Sequence, residues 1–185
     1  MSVAFTGTRL QSRSTDLLGT TVRLSILALA ALAISANFTD YGPLILLLQR
    51  ELHVTSGATG LLSTLLYIGI GLSYLPGGWL ADRYGSRRVL FGSLLLVGTG
   101  GCLLPVFPTL VWMVLCRLVI GLGAGAAIVA ASQAARWGKY GAFGQGLFGG
   151  AMQVGAGLGL FATPTLQGLF GWRGALTFWG AFGLG

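Results

Sequence analysis

The chain has 185 residues, 54% of them hydrophobic and 8% charged, with a formal net charge of +7 and a mean hydropathy of +0.81. Soluble domains carry about 25% charged residues, so this composition excludes a water-covered globular surface and implies an integral membrane protein. The positive balance does not point to nucleic acid, because the basic residues sit in loops between apolar runs, where they report orientation in a bilayer. The runs are continuous rather than alternating, which fits helices better than outer-membrane strands. Cys102 and Cys116 both fall in predicted spans and read as small apolar residues.

Residues Met1 to Thr21, with Arg9, Arg13 and Asp16, lack the apolar core and cleavage site of a signal peptide and read as a retained cytoplasmic tail (residues 1–21), with membrane helices over 22–185. A membrane helix needs roughly 20 mostly apolar residues. The first span is expected from Thr21 to Gln49, interrupted only by Asn37, Thr39 and Asp40, and Arg50, Glu51 and His53 make a short loop. The second span covers Gly57 to Leu80 and the third Val89 to Val106, followed by a turn at Phe107-Pro108. The fourth covers Thr109 to Ala131, and a loop with Arg136 and Lys139 leads to the fifth, Ala142 to Leu166. Gly171-Trp172-Arg173 forms the next turn. A sixth span begins near Gly174, and the chain is expected to stop inside it at Gly185.

Arg9, Arg13, Arg23, Arg83, Arg87, Arg88, Arg136 and Lys139 fall on one side of this arrangement, against Arg50 and Arg173 on the other. That asymmetry predicts a cytoplasmic N-terminus, and a plasma (inner) membrane location is expected. A weak internal repeat accompanies it. The displacement that lays Gly69 on Gly155 also lays Gly60-Leu61 on Gly146-Leu147, Gly71-Leu72 on Gly157-Leu158, and Gly85-Ser86-Arg87 on Gly171-Trp172-Arg173. Three spans separate the copies, so they have opposite topology, the inverted-repeat design of secondary transporters; chance alignment in a glycine-rich chain is the alternative.

The run Gly77-Gly78-Trp79-Leu80-Ala81-Asp82-Arg83-Tyr84-Gly85-Ser86-Arg87-Arg88-Val89-Leu90 is the densest stretch of charge. It resembles the signature between helices 2 and 3 of the major facilitator superfamily, G-x-L-A-D-R-x-G-R-R-x-x-L, with Gly78, Leu80, Ala81, Asp82, Arg83, Gly85, Arg87 and Arg88 in place and Ser86 standing where the first basic residue is expected. Arg117-Leu-Val-Ile-Gly121-Leu-Gly123-Ala-Gly125 is similar to that superfamily's helix 4 signature, R-x-x-x-G-x-G-x-G. The resemblance implies an arginine at this point linked to proton coupling or substrate charge; the alternative is an arginine that only ties helices together. Gly146, Gly155 and Gly159 fit part of the family's antiporter pattern in helix 5, but Leu160 and Phe161 break the rest, so a drug–proton antiporter does not follow.

Intramembrane ionisable residues are expensive and usually face a bundle interior or a water-filled cavity. Asn37, Asp40, Tyr41 and Leu44 share a helical face, so Asn37, Asp40 and Tyr41 form a polar stripe, a candidate lining of a transport path. Alternatively Asp40 lies near enough to the outer interface to be solvated. Arg117 stands about 12 Å from the outer end of helix 4, and Asp40 about 14 Å from the outer end of helix 1. At matching depth they are expected to pair, which lowers the cost of burying each and raises the affinity for a proton only when the pair breaks. Gln153 corresponds to Tyr67 in the repeat and faces either the same cavity or a neighbouring helix. Trp79, Trp112, Trp137 and Trp172 lie near span ends and read as interfacial anchors. Proline 164 is expected to kink helix 5.

No metal-ligand cluster, phosphate loop or nucleophile with a paired base occurs, so no cofactor or enzymatic chemistry is expected. The expected fold is an all-α integral membrane protein, the N-terminal six-helix bundle of a major facilitator fold with an incomplete sixth helix. The resemblance implies a secondary transporter, expected to be a proton-coupled symporter of a small organic or inorganic anion. It would partner with the lipid bilayer and a missing C-terminal six-helix half, and latch at Gly78, Asp82, Arg83, Gly85, Arg87 and Arg88. Multidrug efflux, or a non-transporting half that binds another membrane protein, is the alternative.

Overall fold

The computed structural model describes the backbone of residues 4–136 and 141–184, and side chains from Gly19 onward within those ranges. Arg9, Arg13, Asp16, Trp137 and Lys139 therefore lie outside the described side chains. The described residues form α1 (Ala4–Thr39), a 3-10 turn (Gly42–Leu44), α2 (Ile45–Leu52), α3 (Ser56–Tyr84), α4 (Ser86–Leu103), α5 (Leu110–Ala135) and α6 (Gly141–Phe182). The chain runs up and down: Arg23, Arg83, Arg87, Arg88 and Arg136 gather at one end of the bundle, here the basic end, and Arg50, Glu51, His53 and Arg173 at the opposite end. Among the described residues four segments are long and apolar enough to cross a membrane, Gly19–Leu52, Ser56–Tyr84, Leu110–Ala135 and Gly141–Phe182. α4 has 18 residues and opens on Arg87 and Arg88.

The first span is not the unbroken helix expected. α1 is continuous across Thr21 but stops at Thr39, and α2 restarts only at Ile45. Gly42-Pro43 causes the break: Pro43 has no backbone N–H to donate, and its ring collides with the carbonyl four residues back, on Thr39. Asp40 therefore sits at a helix end. α6 fuses the fifth span with the start of the sixth, yet its backbone leaves helical geometry at Gly171, φ 71°, within the expected turn. The break falls at this glycine; Pro164 lies inside the helix.

The glycines paired by the sequence repeat do the same work in the structure. A Cβ on Gly69 would fall 2.6 Å from the Leu118 carbonyl oxygen, and one on Gly155 2.8 Å from Leu32 Cα, so each lets two helix backbones touch. Around Gly60, Gly146, Gly71 and Gly157 there is open space. Gly85 and Gly171 are the two positive-φ glycines among the described residues, a conformation other residues adopt only with strain. Thus α3 packs on α5 as the fifth span, within α6, packs on α1.

α5 is the most enclosed helix. Gly121 and Gly125 press on α3 at Leu66 and Ile70, whereas Gly123 faces α4, where a Cβ would lie 2.8 Å from the Ser93 carbonyl oxygen. Met113, Ile120, Ala124, Ala127, Ala130 and Ala131 complete its buried face. This wedge between two neighbours carries Arg117 into the interior.

Candidate functional site

Arg117 is 1% exposed. Its Nη2 donates to Asp40 Oδ1 at 2.7 Å, and its Nη1 donates to the Asn37 backbone carbonyl at 2.8 Å. The expected pair across the first and fourth spans is present. The carbonyl contact exists because α1 ends two residues later: the last carbonyls of a helix have no intrahelical partner, and a cation near that end also meets the negative pole of the helix dipole. The guanidinium carbon lies 4.3 Å from the centroid of the Tyr41 ring, a cation–π contact, and the Tyr41 hydroxyl is hydrogen-bonded to Ser63 Oγ on α3. The cation is thus held by a carboxylate, a helix end and an aromatic face.

The polar stripe divides at Asn37. Its side-chain amide turns away from Arg117 and donates to the carbonyls of Ala33, at 2.9 Å, and Trp179, at 3.0 Å. Asn37 Oδ1 and Arg117 Nε are buried without a protein partner among the described residues. Asn37, Asp40 and Tyr41 are all buried, so the stripe lies inside the bundle. Gln153 is exposed and is not brought to the pair. Tyr67, its counterpart in the repeat, is 62% exposed on α3. Sequence reasoning missed Ser35 and took Thr39 only as an interruption of the span; both donate to α6 carbonyls, of Met152 and Ala156. Their four-residue spacing on α1 was the available signal.

The signature loop joins three helices through a residue that sequence reasoning passed over. Gln133, in the last turn of α5, donates from Nε2 to Asp82 Oδ1 at 3.1 Å and accepts from Ser86 Oγ at 3.2 Å. Ser86, where a basic residue was expected, is therefore a hydrogen-bonding partner. Gly85 ends α3 with φ 89°, its N–H bonded to the Ala81 carbonyl. The guanidinium of Arg83 stacks 5.1 Å from the Trp79 ring centroid; Arg87 and Arg88 are exposed. The close helix approach falls on Gly77, whose Cβ would lie 2.7 Å from Ala126 Cα, while Gly78 has room for a methyl 3.6 Å from Val129. A shallow cavity of about 390 Å³ opens at this end, lined by Tyr74, Ile128, Val129, Ser132, Gln133 and Arg136.

At the opposite end Trp172 departs from its expected role as an interfacial anchor. It is buried, and its indole N–H donates to Glu51 Oε2 at 2.8 Å. A buried indole N–H needs an acceptor, and the restart of the helix as α2 brings Glu51 to it. Trp79 stays 57% exposed, as an anchor would.

A family model described as Major Facilitator Superfamily matches residues 26–185. The chain is 26% identical over 142 residues to Probable anion transporter 6, chloroplastic, of Arabidopsis thaliana, covering 75% of this chain and 28% of that protein. It is 28% identical over 159 residues to the Cyanate transport protein CynX of Escherichia coli, covering 84% of this chain and 41% of that protein. With the Probable sulfoacetate transporter SauU of Cupriavidus necator it shares 27% identity over 142 residues, 75% of this chain and 33% of that protein. The matched stretches thus span between 28% and 41% of the length of these curated relatives.

Proposed function

We propose, from the premise that this chain belongs to the Major Facilitator Superfamily, that it forms half of a secondary transporter that moves a small anion together with a proton by alternating access. The second six-helix half, the cytoplasmic N-terminus and the plasma-membrane location belong to the same proposal. One observation carries it: a buried carboxylate and a buried guanidinium held together at the broken end of α1. A fixed ion pair that only braced the bundle gains little over apolar packing, whereas intramembrane charges mark ion and proton paths.

The chemistry follows from the three supports of Arg117. A proton on Asp40 neutralises the carboxylate and weakens its hold on Nη2. The Asn37 carbonyl and the Tyr41 ring keep the guanidinium in place meanwhile. Nη2 is then free to take an oxygen of an anionic solute once the bundle opens toward the path. Proton and anion therefore enter together, and the site keeps a constant total charge. The printed names of the relatives, which refer to anions, cyanate and sulfoacetate, support this solute class. Asp82 and Arg83 latch the cytoplasmic face, with Gly85 setting the turn and Arg87 and Arg88 anchoring it, and Gln153 lies on the solute path.

The test is uptake of labelled cyanate and sulfoacetate into proteoliposomes bearing the membrane protein. Uptake is expected to rise when the outside is acidified, and Asp40→Asn is expected to abolish that dependence on the proton gradient while leaving anion exchange measurable. Gradient-driven accumulation by the Asp40→Asn protein overturns proton coupling through this residue. Movement of cationic dyes and not of anions would replace the reading by multidrug efflux.

A further inference from the structure

Two polar contacts at opposite ends of the bundle are built to one plan. The displacement that lays Gly69 on Gly155 also lays Ser86 on Trp172. Each of these two residues follows one of the two positive-φ glycines, Gly85 and Gly171. Each is hydrogen-bonded by a polar side chain from the last turn of the first span of the other repeat: Ser86 by Gln133 at the end of α5, and Trp172 by Glu51 at the end of α2. Beside each turn an arginine stacks on an aromatic ring, Arg83 on Trp79 and Arg173 on Trp172. The Asp82–Gln133–Ser86 group thus has a counterpart at the opposite end, although the sequence there keeps only the Gly-x-Arg of the signature.

We infer that Glu51 and Trp172 form a second clasp, which positions the end of the bundle opposite the signature loop as Gln133 positions the signature end. The physical need is clear on this side. α2 is separated from α1 by the break at Gly42-Pro43. Beyond its apolar packing it is tied by the Gln49–Thr59 side-chain bond, 3.0 Å, and by Glu51. Glu51 offers a charged acceptor, and charged hydrogen bonds are roughly twice as strong as neutral ones. Loosening it frees a half-helix that is joined to Asp40 through the 3-10 turn Gly42–Leu44. In the alternating-access reading, on which this sense of action rests, the two clasps bias the cycle in opposite directions.

The test uses the membrane protein in nanodiscs, where both aqueous faces are reached, with Cys102 and Cys116 changed to Ala. Single cysteines report the two ends: Leu52→Cys on α2, and Ser132→Cys beside Gln133. Glu51→Ala and Trp172→Phe are expected to raise maleimide labelling at position 52 by about fivefold, the scale of one lost hydrogen bond, without raising it at position 132. Gln133→Leu is expected to do the reverse. Glu51→Gln keeps an oxygen acceptor for the indole but not its charge, and is expected to label above the parent and below Glu51→Ala. Labelling that rises at both positions together, that ignores Glu51→Ala and Trp172→Phe, or that rises as much in Glu51→Gln overturns the clasp. A rise at 52 accompanied by a fall at 132 supports alternating access as well. A rise at 52 with no change at 132 supports the clasp and counts against alternating access.

Discussion

Arg117 and Asp40 were readable from sequence because each is a lone charge in an apolar run, and counting residues put them at matching depth. The other two supports of the guanidinium were not readable, since both depend on where α1 ends. A helix continuing past Asp40 would have used the Asn37 carbonyl internally and swung Tyr41 elsewhere. Gly42-Pro43 was in plain view, but the apolar run on either side of it outweighed the break signal. The geometry makes a definite energetic prediction. Arg117→Gln leaves a buried carboxylate without its partner, a change that costs about 3–5 kcal/mol in comparable pairs. Asp40→Asn also leaves a buried charge unpaired, but it keeps an oxygen acceptor for Nη2, and the Asn37 carbonyl and the Tyr41 ring still hold the guanidinium, so it is expected to cost less than Arg117→Gln. Unfolding in micelles should show the double variant losing less than the two single losses added, by about 0.5–3 kcal/mol. Strict additivity would mean that the two residues do not sense each other.

At the scale of elements, the glycines show what a repeated pattern reveals and what it hides. Their spacing exposed the repeat, yet it did not say which glycine of a pair touches a backbone. Gly78 belongs to the signature, but its neighbour Gly77 makes the close approach. Sequence cannot separate them, because adjacent positions differ only in the direction of a Cβ that neither possesses, and that direction is fixed by which helix lies opposite. The structure turns this into paired predictions on single helices. Gly69→Ala drives a methyl into the backbone of α5 and is expected to cost about 1–3 kcal/mol, the usual penalty of overpacking. Gly71→Ala, two residues on, meets open space and is expected to be neutral or to gain up to about 1 kcal/mol from helix propensity. Gly155→Ala and Gly157→Ala should repeat the contrast against α1. Unfolding midpoints measured on the four variants check it, and equal effects of Gly69→Ala and Gly71→Ala would contradict the α3–α5 crossing.

At the scale of the whole molecule, the up-and-down path and its basic end were legible because charge placement and span length are coarse signals that survive errors in boundaries. What escaped was the wiring between ends of spans, where single side chains such as Gln133 and Glu51 bridge elements distant in sequence. That wiring decides how the signature loop is expected to behave. Asp82 is exposed, and Gln133 occupies its Oδ1. Asp82→Asn preserves an oxygen for Gln133 to reach, so the three helix ends should stay joined and the unfolding temperature should not fall appreciably. It removes the negative charge, and with it any contact that a cationic group or a helix N-terminus makes to Asp82 in one state of the cycle. A charged hydrogen bond lost from one state, about 1.5 kcal/mol, corresponds to a rate lower by about tenfold. On the proposed transporter reading, transport by the Asp82→Asn protein is therefore expected to slow by that order while folding is kept. Wild-type rates would show that the loop does not act as a latch, whereas a collapse of folding would show that the carboxylate charge holds the three helix ends together and that Gln133 alone cannot.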